Sequence, residues 1–236
     1  MVTIEDLKTS RIFENLDGTS LQTFCDEAQI KKVSKKNLIF SQDDKAGYFY
    51  IVKEGGVKIF RETPAGEEIV VDIVGAGDAF GEVAIFNGGQ QAYSAESVAK
   101  SELISLPIKL LESMLDDNTT LAKGLIDKLA LQQRKHLSEL EHHGHKSAPQ
   151  RIGCYLLALC PKNHDGEMDV ELPYGKTVIA GKLNMKPETF SRSLKALEQD
   201  LGIKTAGRVI HIPEVNKLVS YCCSLCSYNY PCDGLR

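Results

Sequence analysis

Short apolar stretches separated by turn residues dominate the first 115 residues of the chain. The three clearest stretches are 48–52, 57–60 and 69–74. Glycine and proline lie between them, at Gly55-Gly56 and within 64–66. Closely spaced short strands of this kind are typical of a sandwich, a barrel or a jelly roll. We therefore expect a β-rich domain over residues 1–115, whose first 30 residues or so form short helices.

The apolar pattern changes period after residue 115. Residues 116–141 contain no proline and one glycine, and six positions recur with a 4-3-4-3-4 spacing. These positions are Ala122, Ile126, Leu129, Gln133, His136 and Leu140. The spacing is that of a coiled-coil seam with two polar layers, and a helix of about 25 residues would span about 37 Å. The pattern predicts a dimer helix, and a helix that packs on its own chain is the alternative.

Residues 176–194 have the pattern of two short helices joined by a tight turn. Ile179 and Leu183 are the apolar positions of the first helix. Asn184 tolerates the left-handed backbone that a tight turn needs, and Pro187 suits the first turn of the second helix. This pattern predicts a helix-turn-helix. Residues 203–212 follow as a predicted hairpin, the wing of a winged helix.

Polar and basic side chains remain outside the buried stripe of the second helix. They are Glu188, Thr189, Ser191, Arg192 and Lys195, to which we add Thr177 from the first helix and Arg208 from the wing. Arginine pairs with guanine O6 and N7, and glutamate accepts from cytosine N4. Residues 176–208 hold seven basic and three acidic side chains, which favours phosphate contact. We expect this face to bind double-stranded DNA; a solvated face with a Glu188–Arg192 pair is the alternative.

Composition narrows the class of protein. The chain has 236 residues, 42% of them hydrophobic and 25% charged, with a formal charge of −4, which argues against disorder. No apolar run approaches the ~20 residues that span a bilayer, and the N-terminus lacks the apolar region of a signal peptide. Seven cysteines are an odd number for disulfides. We therefore expect a cytoplasmic protein with reduced thiols or metal ligands and no membrane partner.

Two motifs resemble the Crp/Fnr family of bacterial transcription regulators. Gly77-Asp78-Ala79-Phe80-Gly81-Glu82 resembles the signature of the cyclic-nucleotide-binding roll. Residues 187–192 resemble the recognition helix of the Fnr branch, most closely that of the dissimilatory nitrate respiration regulators. The resemblance covers nearly the whole chain. It implies an α+β fold: an N-terminal cyclic-nucleotide-binding-like β-roll (jelly roll), a long dimerisation helix and a C-terminal winged helix-turn-helix.

The resemblance also implies an organisation and a function. The expected domains are a sensing roll over 1–115, a dimerisation helix and hinge over 116–145, a DNA-binding domain over 146–221 and a cysteine-rich tail over 222–236. The expected function is that of a homodimeric regulator that binds a palindromic TTGAT-like site and works with RNA polymerase. Such a protein is not an enzyme, and a thiol redox enzyme that uses the tail is the alternative.

The effector pocket of such a roll would include Gly81 and Glu82. In the family's cyclic AMP receptors, an arginine ten residues after that glutamate pairs with the cyclic phosphate, and a serine follows it. This chain has Ala92 and Tyr93 at those places, and residues 87–99 contain neither lysine nor arginine. A buried phosphate without a counter-charge is costly. We therefore expect a redox or nitrogen-oxide signal, with a cyclic nucleotide or another small organic ligand as the alternative.

The end of the chain is rich in cysteine. Cys222, Cys223, Cys226 and Cys232 lie within eleven residues, and the Cys223-x2-Cys226 spacing is common to zinc and iron–sulfur sites. Some Gram-positive Fnr relatives carry a C-terminal cluster of similar spacing, which favours an iron–sulfur cluster over zinc. A thiol redox switch and an incidental tail are the alternatives. The N-terminal cluster of the oxygen-sensing Fnr proteins has no counterpart, because Cys25 is the only cysteine in the first 150 residues.

Haem is the alternative cofactor, because the nitrate respiration regulators that this chain resembles are associated with nitric oxide sensing through haem. Haem needs an apolar pocket and an axial ligand such as histidine. None of the six histidines lies in the predicted roll, and His136 on the dimer helix is the first candidate ligand. A polar layer that sets the register of the seam is the other interpretation of His136.

Overall fold

The structure, a computed structural model, describes residues 1–161 and 166–223, and the side chains of all of these except residues 142 and 143. The chain folds into two compact units, the first from Met1 to Ala130 and the second from Leu131 onward. Buried apolar residues form two clusters in the first unit and one in the second. Each unit therefore has a core of its own.

The first unit consists of two antiparallel sheets and several helices. Its strands are β1 (Gln29–Val33), β2 (Leu38–Phe40), β3 (Tyr48–Glu54), β4 (Gly56–Glu62), β5 (Glu68–Gly75), β6 (Ala79–Phe80), β7 (Ser94–Ser97) and β8 (Ser101–Pro107). Its helices are α1 (Ile4–Lys8), α2 (Gly18–Glu27), α3 (Ile108–Leu115) and α4 (Thr119–His145), which continues into the second unit. A 3-10 turn spans Glu82–Phe86. The strand orders are β1-β8-β3-β6 and β2-β7-β4-β5.

The alternation of side chains along β3 explains the two cores of this unit. Side chains on successive residues of a strand point to opposite faces. Phe49 and Ile51 therefore share one face, where they pack with residues of the helices. Tyr50 and Val52 share the other face and pack against the second sheet. Because both faces of β3 are buried, its sequence is a continuous apolar run rather than an alternating one.

Two helices follow the roll. The sequence analysis assigned residues up to 115 to the roll and missed α3, which begins directly after β8. The long helix begins at Thr119, and the side chain of Asn118 accepts a hydrogen bond from the Leu121 N–H there. Gly124 lets α4 approach the chain near α1, since a Cβ at Gly124 would lie 2.4 Å from the Ile12 carbonyl oxygen. The predicted long helix is thus present, and its first half packs on its own unit.

The predicted seam of α4 divides into exposed and packed positions. Ile126 and Leu140 are 62% and 67% exposed, and Gln133 is exposed as well. The remaining predicted positions, Ala122, Leu129 and His136, are half-buried. Leu129 packs on the core of the first unit, whereas Leu137, which the sequence analysis left out, is 52% exposed. The exposed apolar residues Ile126, Leu137 and Leu140 are called the α4 stripe below.

The second unit has helices around a small sheet. After the end of α4, its elements are α5 (Ala148–Leu159), β9 (Met168–Glu171), α6 (Lys176–Lys182), α7 (Pro187–Leu201), β10 (Lys204–Ala206), β11 (Val209–Ile212) and α8 (Val215–Cys223). The strand order is β10-β11-β9. The predicted wing is present as β10 and β11, and β9 adds a third strand. Helix α5 packs against both α7 and α8.

The helix-turn-helix prediction is confirmed by α6, α7 and the turn between them. Asn184 has a φ of 49°, in the left-handed region, which asparagine tolerates better than most residues. Phe190, Leu194 and Leu197 are buried in the core of the unit. Gly202, with a φ of 71°, ends α7. The fold class is α+β as predicted.

None of the helices in the described ranges is both long and apolar enough to cross a bilayer.

Candidate nucleic-acid interface and effector site

The outward side of α7 carries the residues predicted to bind DNA. Glu188, Ser191, Arg192 and Lys195 are exposed, and Thr189 is half-buried. Burial of Phe190, Leu194 and Leu197 sets this orientation, because residues three and four apart share one face of a helix. Within the described part of the chain, no ion pair joins Glu188 to Arg192. The side chains are therefore available to an external partner.

The N-terminal end of α7 is suited to a phosphate group. Lys186 precedes the helix without a side-chain cap bond, and Pro187 occupies the first turn. The first N–H groups of a helix have no acceptor within it, and they carry a partial positive charge. Lys186 is itself exposed. An ammonium and open N–H groups thus lie together at the end of the helix that is predicted to enter the DNA groove.

Arg151 supports the turn between α6 and α7. Its Nη1 donates to the Leu183 carbonyl oxygen at 3.0 Å. Partial burial lowers the pKa of Arg151, but an arginine remains charged at neutral pH. This role could not be predicted from the sequence, because the contact links residues 32 positions apart and no local pattern signals it.

Thr177 and Arg208 are placed differently from the α7 residues. Thr177 is exposed on α6. Arg208 donates from Nε to the Leu172 carbonyl oxygen at 3.0 Å, and its Nη2 lies 3.0 Å from Glu171 Oε1. The guanidinium of Arg208 is thus already occupied by its own unit. A phosphate would have to compete with Glu171, although an exposed ion pair of this kind is weak.

In the first unit, Glu82 is fully buried and paired with a lysine. Its Oε1 accepts a hydrogen bond from Lys128 Nζ of α4, and the Lys128 side chain is 15% exposed. The second oxygen, Oε2, is buried and has no hydrogen-bond partner among the described residues. A buried carboxylate needs a counter-charge, and Lys128 provides it. Lys128 was not among the predicted site residues, because it lies 46 residues further along the chain.

Gly81 and Tyr93 form a second contact beside this ion pair. Gly81 has a φ of 87°, a left-handed conformation that favours glycine. Its N–H donates to the Tyr93 hydroxyl oxygen at 2.8 Å. Burial, together with the nearby Glu82 carboxylate, raises the pKa of Tyr93. The signature residues Gly81 and Glu82 are therefore both bonded to side chains of the same unit.

A groove of about 400 Å³ opens next to this region of the roll. It is lined by Ile39, Phe40, Asp44, Lys45, Gly47, Tyr48, Tyr50 and Gln91. The first unit contains no histidine, so this lining offers no histidine ligand to a haem. His136 is half-buried, and its Nε2 is buried without a hydrogen-bond partner in the described residues. A haem ligated by His136 remains a prediction.

The four tail cysteines separate into two groups. Cys222 is fully buried in the core of the second unit, and its thiol is hydrogen-bonded to that of Cys154. Cys223 is half-buried. Cys226 and Cys232 lie outside the described residues, so the iron–sulfur or zinc site stays a prediction. Cys222, expected as one of its ligands, is unavailable to a metal while it stays in the core.

Comparison with known families identifies both units. Residues 30–118 match the cyclic nucleotide-binding domain, and residues 150–221 match the Crp-like helix-turn-helix domain. The crystal structure of DNR from Pseudomonas aeruginosa is 31% identical to this chain. The match covers 92% of this chain and 96% of the DNR chain, with a TM-score of 0.51. The chain belongs to the Crp/Fnr family. It is thus a DNA-binding transcription regulator of that type.

Two further relatives extend the comparison within the Crp/Fnr family. The CRP-like cAMP-activated global transcriptional regulator of Mycobacterium tuberculosis is 24% identical over 217 residues, which are 91% of this chain and 97% of that protein. FixK2 from Bradyrhizobium japonicum is 23% identical, with a TM-score of 0.70 over 82% of this chain and 96% of that chain. The likeness to FixK2 is one of fold.

We predict that Lys128→Met destabilises the first unit by about 3–5 kcal/mol, because it leaves the Glu82 carboxylate buried without a counter-charge. The free energy of opening is read from hydrogen exchange of β3 and β8 amides. Lys123→Met, at an exposed position of the same helix, is the control. The double variant Glu82→Gln with Lys128→Met should lose less than Lys128→Met alone. Equal effects at Lys123 and Lys128 would contradict the role of the pair.

Proposed function

We propose that this protein is a homodimeric, sequence-specific transcription regulator that binds a palindromic TTGAT-like site and responds to a redox or nitrogen-oxide signal. The observation that carries the DNA-binding part is the exposed polar face of α7, held outward by its buried apolar stripe. Glu188, Ser191 and Arg192 are the proposed base-reading residues, and Thr189 and Lys195 lie beside them. Thr177 and Lys186 are proposed to contact phosphates.

The proposed reading of the site follows from base chemistry. Arg192 can donate two hydrogen bonds to guanine O6 and N7, and Glu188 can accept one from cytosine N4. Both lie within the first two turns of α7, the part of a recognition helix that reaches base edges. Two half-sites as an inverted repeat require two copies of α7 about 34–36 Å apart. A dimer with two-fold symmetry meets that requirement.

The α4 stripe supports the homodimer. Ile126, Leu137 and Leu140 are exposed and lie on one side of α4 at helical spacing. Exposed apolar residues in a row favour burial against a partner, and a second copy of the same helix has the same stripe. Gln133 on this side would form a polar layer in the seam. We therefore propose a helix pair along α4.

The internal contacts of Gly81 and Glu82 argue against cyclic AMP as the signal. A cyclic nucleotide bound near Gly81 and Glu82 would have to displace the Tyr93 and Lys128 contacts. It would also find neither lysine nor arginine in residues 87–99 to neutralise its phosphate. The second candidate remains a cyclic-nucleotide sensor, because residues 30–118 match that domain and one relative is named as cAMP-activated.

Further partners and the absence of catalysis are part of the proposal. RNA polymerase is the expected protein partner, as in the regulators that this chain resembles. Since the Mycobacterium tuberculosis relative is named as a transcriptional regulator, we propose no catalytic reaction for this chain. The candidate sensing groups are the predicted tail cluster, a haem and reactive thiols.

Arg192→Ala is expected to cost about 1–3 kcal/mol in binding and to relax the preference at the guanine it reads. Gel shifts with an inverted TTGAT repeat and with a scrambled duplex at one salt concentration measure both effects. Gln199→Ala, at an exposed position nearer the C-terminal end of α7, is the control and should bind as the unsubstituted protein does. A variant at Arg192 that still distinguishes the two duplexes as well as the unsubstituted protein would refute this role.

Ile126→Lys is expected to shift the protein from dimer to monomer, because each of the two paired α4 helices would then place a lysine charge in the proposed apolar seam. Sedimentation velocity over a concentration series gives the dissociation constant. Asp127→Lys introduces the same side chain at the neighbouring exposed position and should leave the dimer unchanged. The proposed interface is wrong if both variants have the same dissociation constant.

Calorimetry with cyclic AMP and cyclic GMP should give no binding at micromolar concentrations. The physical reason is the missing counter-charge for the phosphate together with the pairing of Glu82. The Mycobacterium tuberculosis regulator, named as cAMP-activated, serves as the positive control. Micromolar binding of either nucleotide to this chain would favour the second candidate function.

A further inference from the structure

Two thiols and an ammonium group lie together in the core of the second unit. Cys154 of α5 is 2% exposed, Cys222 of α8 is fully buried, and Lys146, just before α5, is 7% exposed. Lys146 Nζ lies 2.9 Å from Cys154 Sγ. The thiols of Cys154 and Cys222 are hydrogen-bonded to each other. No step of DNA recognition described above uses this group, which is called the thiol pair below.

A glycine makes room for the thiol pair. A Cβ on Gly153 would lie 2.3 Å from Cys222 Sγ and 3.0 Å from Leu218 Cδ1, closer than packed atoms come. Helices α5 and α8 therefore approach each other through Gly153, and the Cys222 sulfur fills the space beside it. The neighbouring Cys154 then meets Cys222 across the helix contact. The closeness of the two sulfurs thus follows from the packing of the unit.

The charge next to Cys154 distinguishes the two thiols. The Lys146 ammonium donates to the Cys154 sulfur at 2.9 Å. A buried ammonium is stabilised by an anionic neighbour, and a thiolate next to a lysine is the reactive form of cysteine.

We propose that Cys154 and Cys222 are a redox pair, which closes to a disulfide between α5 and α8 when a peroxide reaches it and reopens with thiol reductants. Hydrogen peroxide is close to water in size, so a small local opening of the helix contact suffices for its entry. Closure brings the Cys154 and Cys222 sulfurs to the ~2.05 Å of a disulfide bond.

The reaction balances in two steps. The Cys154 sulfur attacks one oxygen of hydrogen peroxide, the O–O bond breaks, and a sulfenic acid and one water form. The Cys222 sulfur then attacks the Cys154 sulfur, the S–O bond breaks, and the disulfide and a second water form. The two thiols lose two protons and two electrons in total, and the peroxide takes up both. Two molecules of a small thiol, oxidised to their own disulfide, reverse the reaction.

The test maps disulfides in the full-length protein. The reduced chain is treated with hydrogen peroxide, free thiols are alkylated, and the digest is analysed by mass spectrometry. We expect a cross-linked pair of peptides that contain Cys154 and Cys222, about 2 Da lighter than the two free peptides together, and its loss with dithiothreitol. Alkylation of Cys154 after complete peroxide treatment, or Cys222 linked to another cysteine, would overturn the proposal.

Matched variants separate the thiol pair from the remaining cysteines. Cys154→Ser and Cys222→Ser should each remove the cross-link, whereas Cys160→Ser should keep it; Cys160 is a buried thiol at the end of the same helix and donates to the Leu156 carbonyl oxygen. The combined replacement of Cys223, Cys226 and Cys232 by serine should also keep it. Loss of the cross-link in that combined variant would show that the tail forms it. If the single variants fail to fold, mapping in the unsubstituted protein decides.

The effect of this disulfide on DNA binding is a second part of the inference. It rests on the proposed function and is measured in a separate experiment. Gel shifts compare the reduced and the cross-linked protein on the inverted TTGAT repeat. We expect affinities that differ by about tenfold, because the disulfide fixes α5, which packs on α7, to α8. Equal affinities at the specific site would overturn the switch and leave the DNA-binding proposal intact. Failure of both forms to bind would instead refute the DNA-binding proposal.

Discussion

A carboxylate in a protein core must be neutralised, and in the first unit of this protein that constraint falls on Glu82. Its side chain is fully buried at the start of the turn that follows β6, and Lys128 of α4 donates to it. The roll is thereby tied to the helix that leaves the unit. Without the lysine, the carboxylate would remain as an uncompensated buried charge, which costs several kcal/mol. The position of α4 on the roll thus depends on this contact as well as on apolar packing through Leu121 and Leu125.

The same constraint bears on what the roll can sense. The Gly81 N–H donates to the Tyr93 hydroxyl oxygen, and one oxygen of the Glu82 carboxylate accepts from Lys128 in the same unit. Ala92 and Tyr93 bring no positive charge to this region. A ligand that binds the Glu82 carboxylate would therefore have to break an internal ion pair. An uncharged or small signal, or one received elsewhere in the chain, does not carry that cost.

In the second unit, packing places two different chemistries close to one recognition helix. The buried face of α7 turns Arg192 and Glu188 outward, and Arg151 holds the preceding turn through the Leu183 carbonyl. Helix α5 carries both Arg151 and Cys154. The residue that supports the turn between α6 and α7 and one member of the thiol pair therefore lie on the same helix. A change at the contact between α5 and α8 is thereby close to the base of the helix-turn-helix.

The elements with strong local signals could be predicted from the amino-acid sequence. The period of apolar residues indicated the strands of the roll, the long helix and the helix-turn-helix, and Asn184 and Pro187 marked the turn because their backbone preferences are local properties. The apolar period did not indicate α3, which follows β8 without a break. Periodicity also does not tell an inward apolar residue from an outward one: Leu129 of the predicted seam packs on the core of the first unit, and Leu137, outside the predicted seam, is exposed.

The side-chain partners, in contrast, follow from the packing of each unit. Lys128 with Glu82, Tyr93 with Gly81, Arg151 with Leu183 and Cys154 with Cys222 are each brought together by packing. Of these pairs, all but Tyr93 with Gly81 lie more than 30 residues apart. Such contacts depend on which faces the cores bury and on where a missing side chain, as at Gly153, lets two helices meet. The spacing of residues along the chain does not predict these contacts, because the packing of each whole core determines which side chains meet.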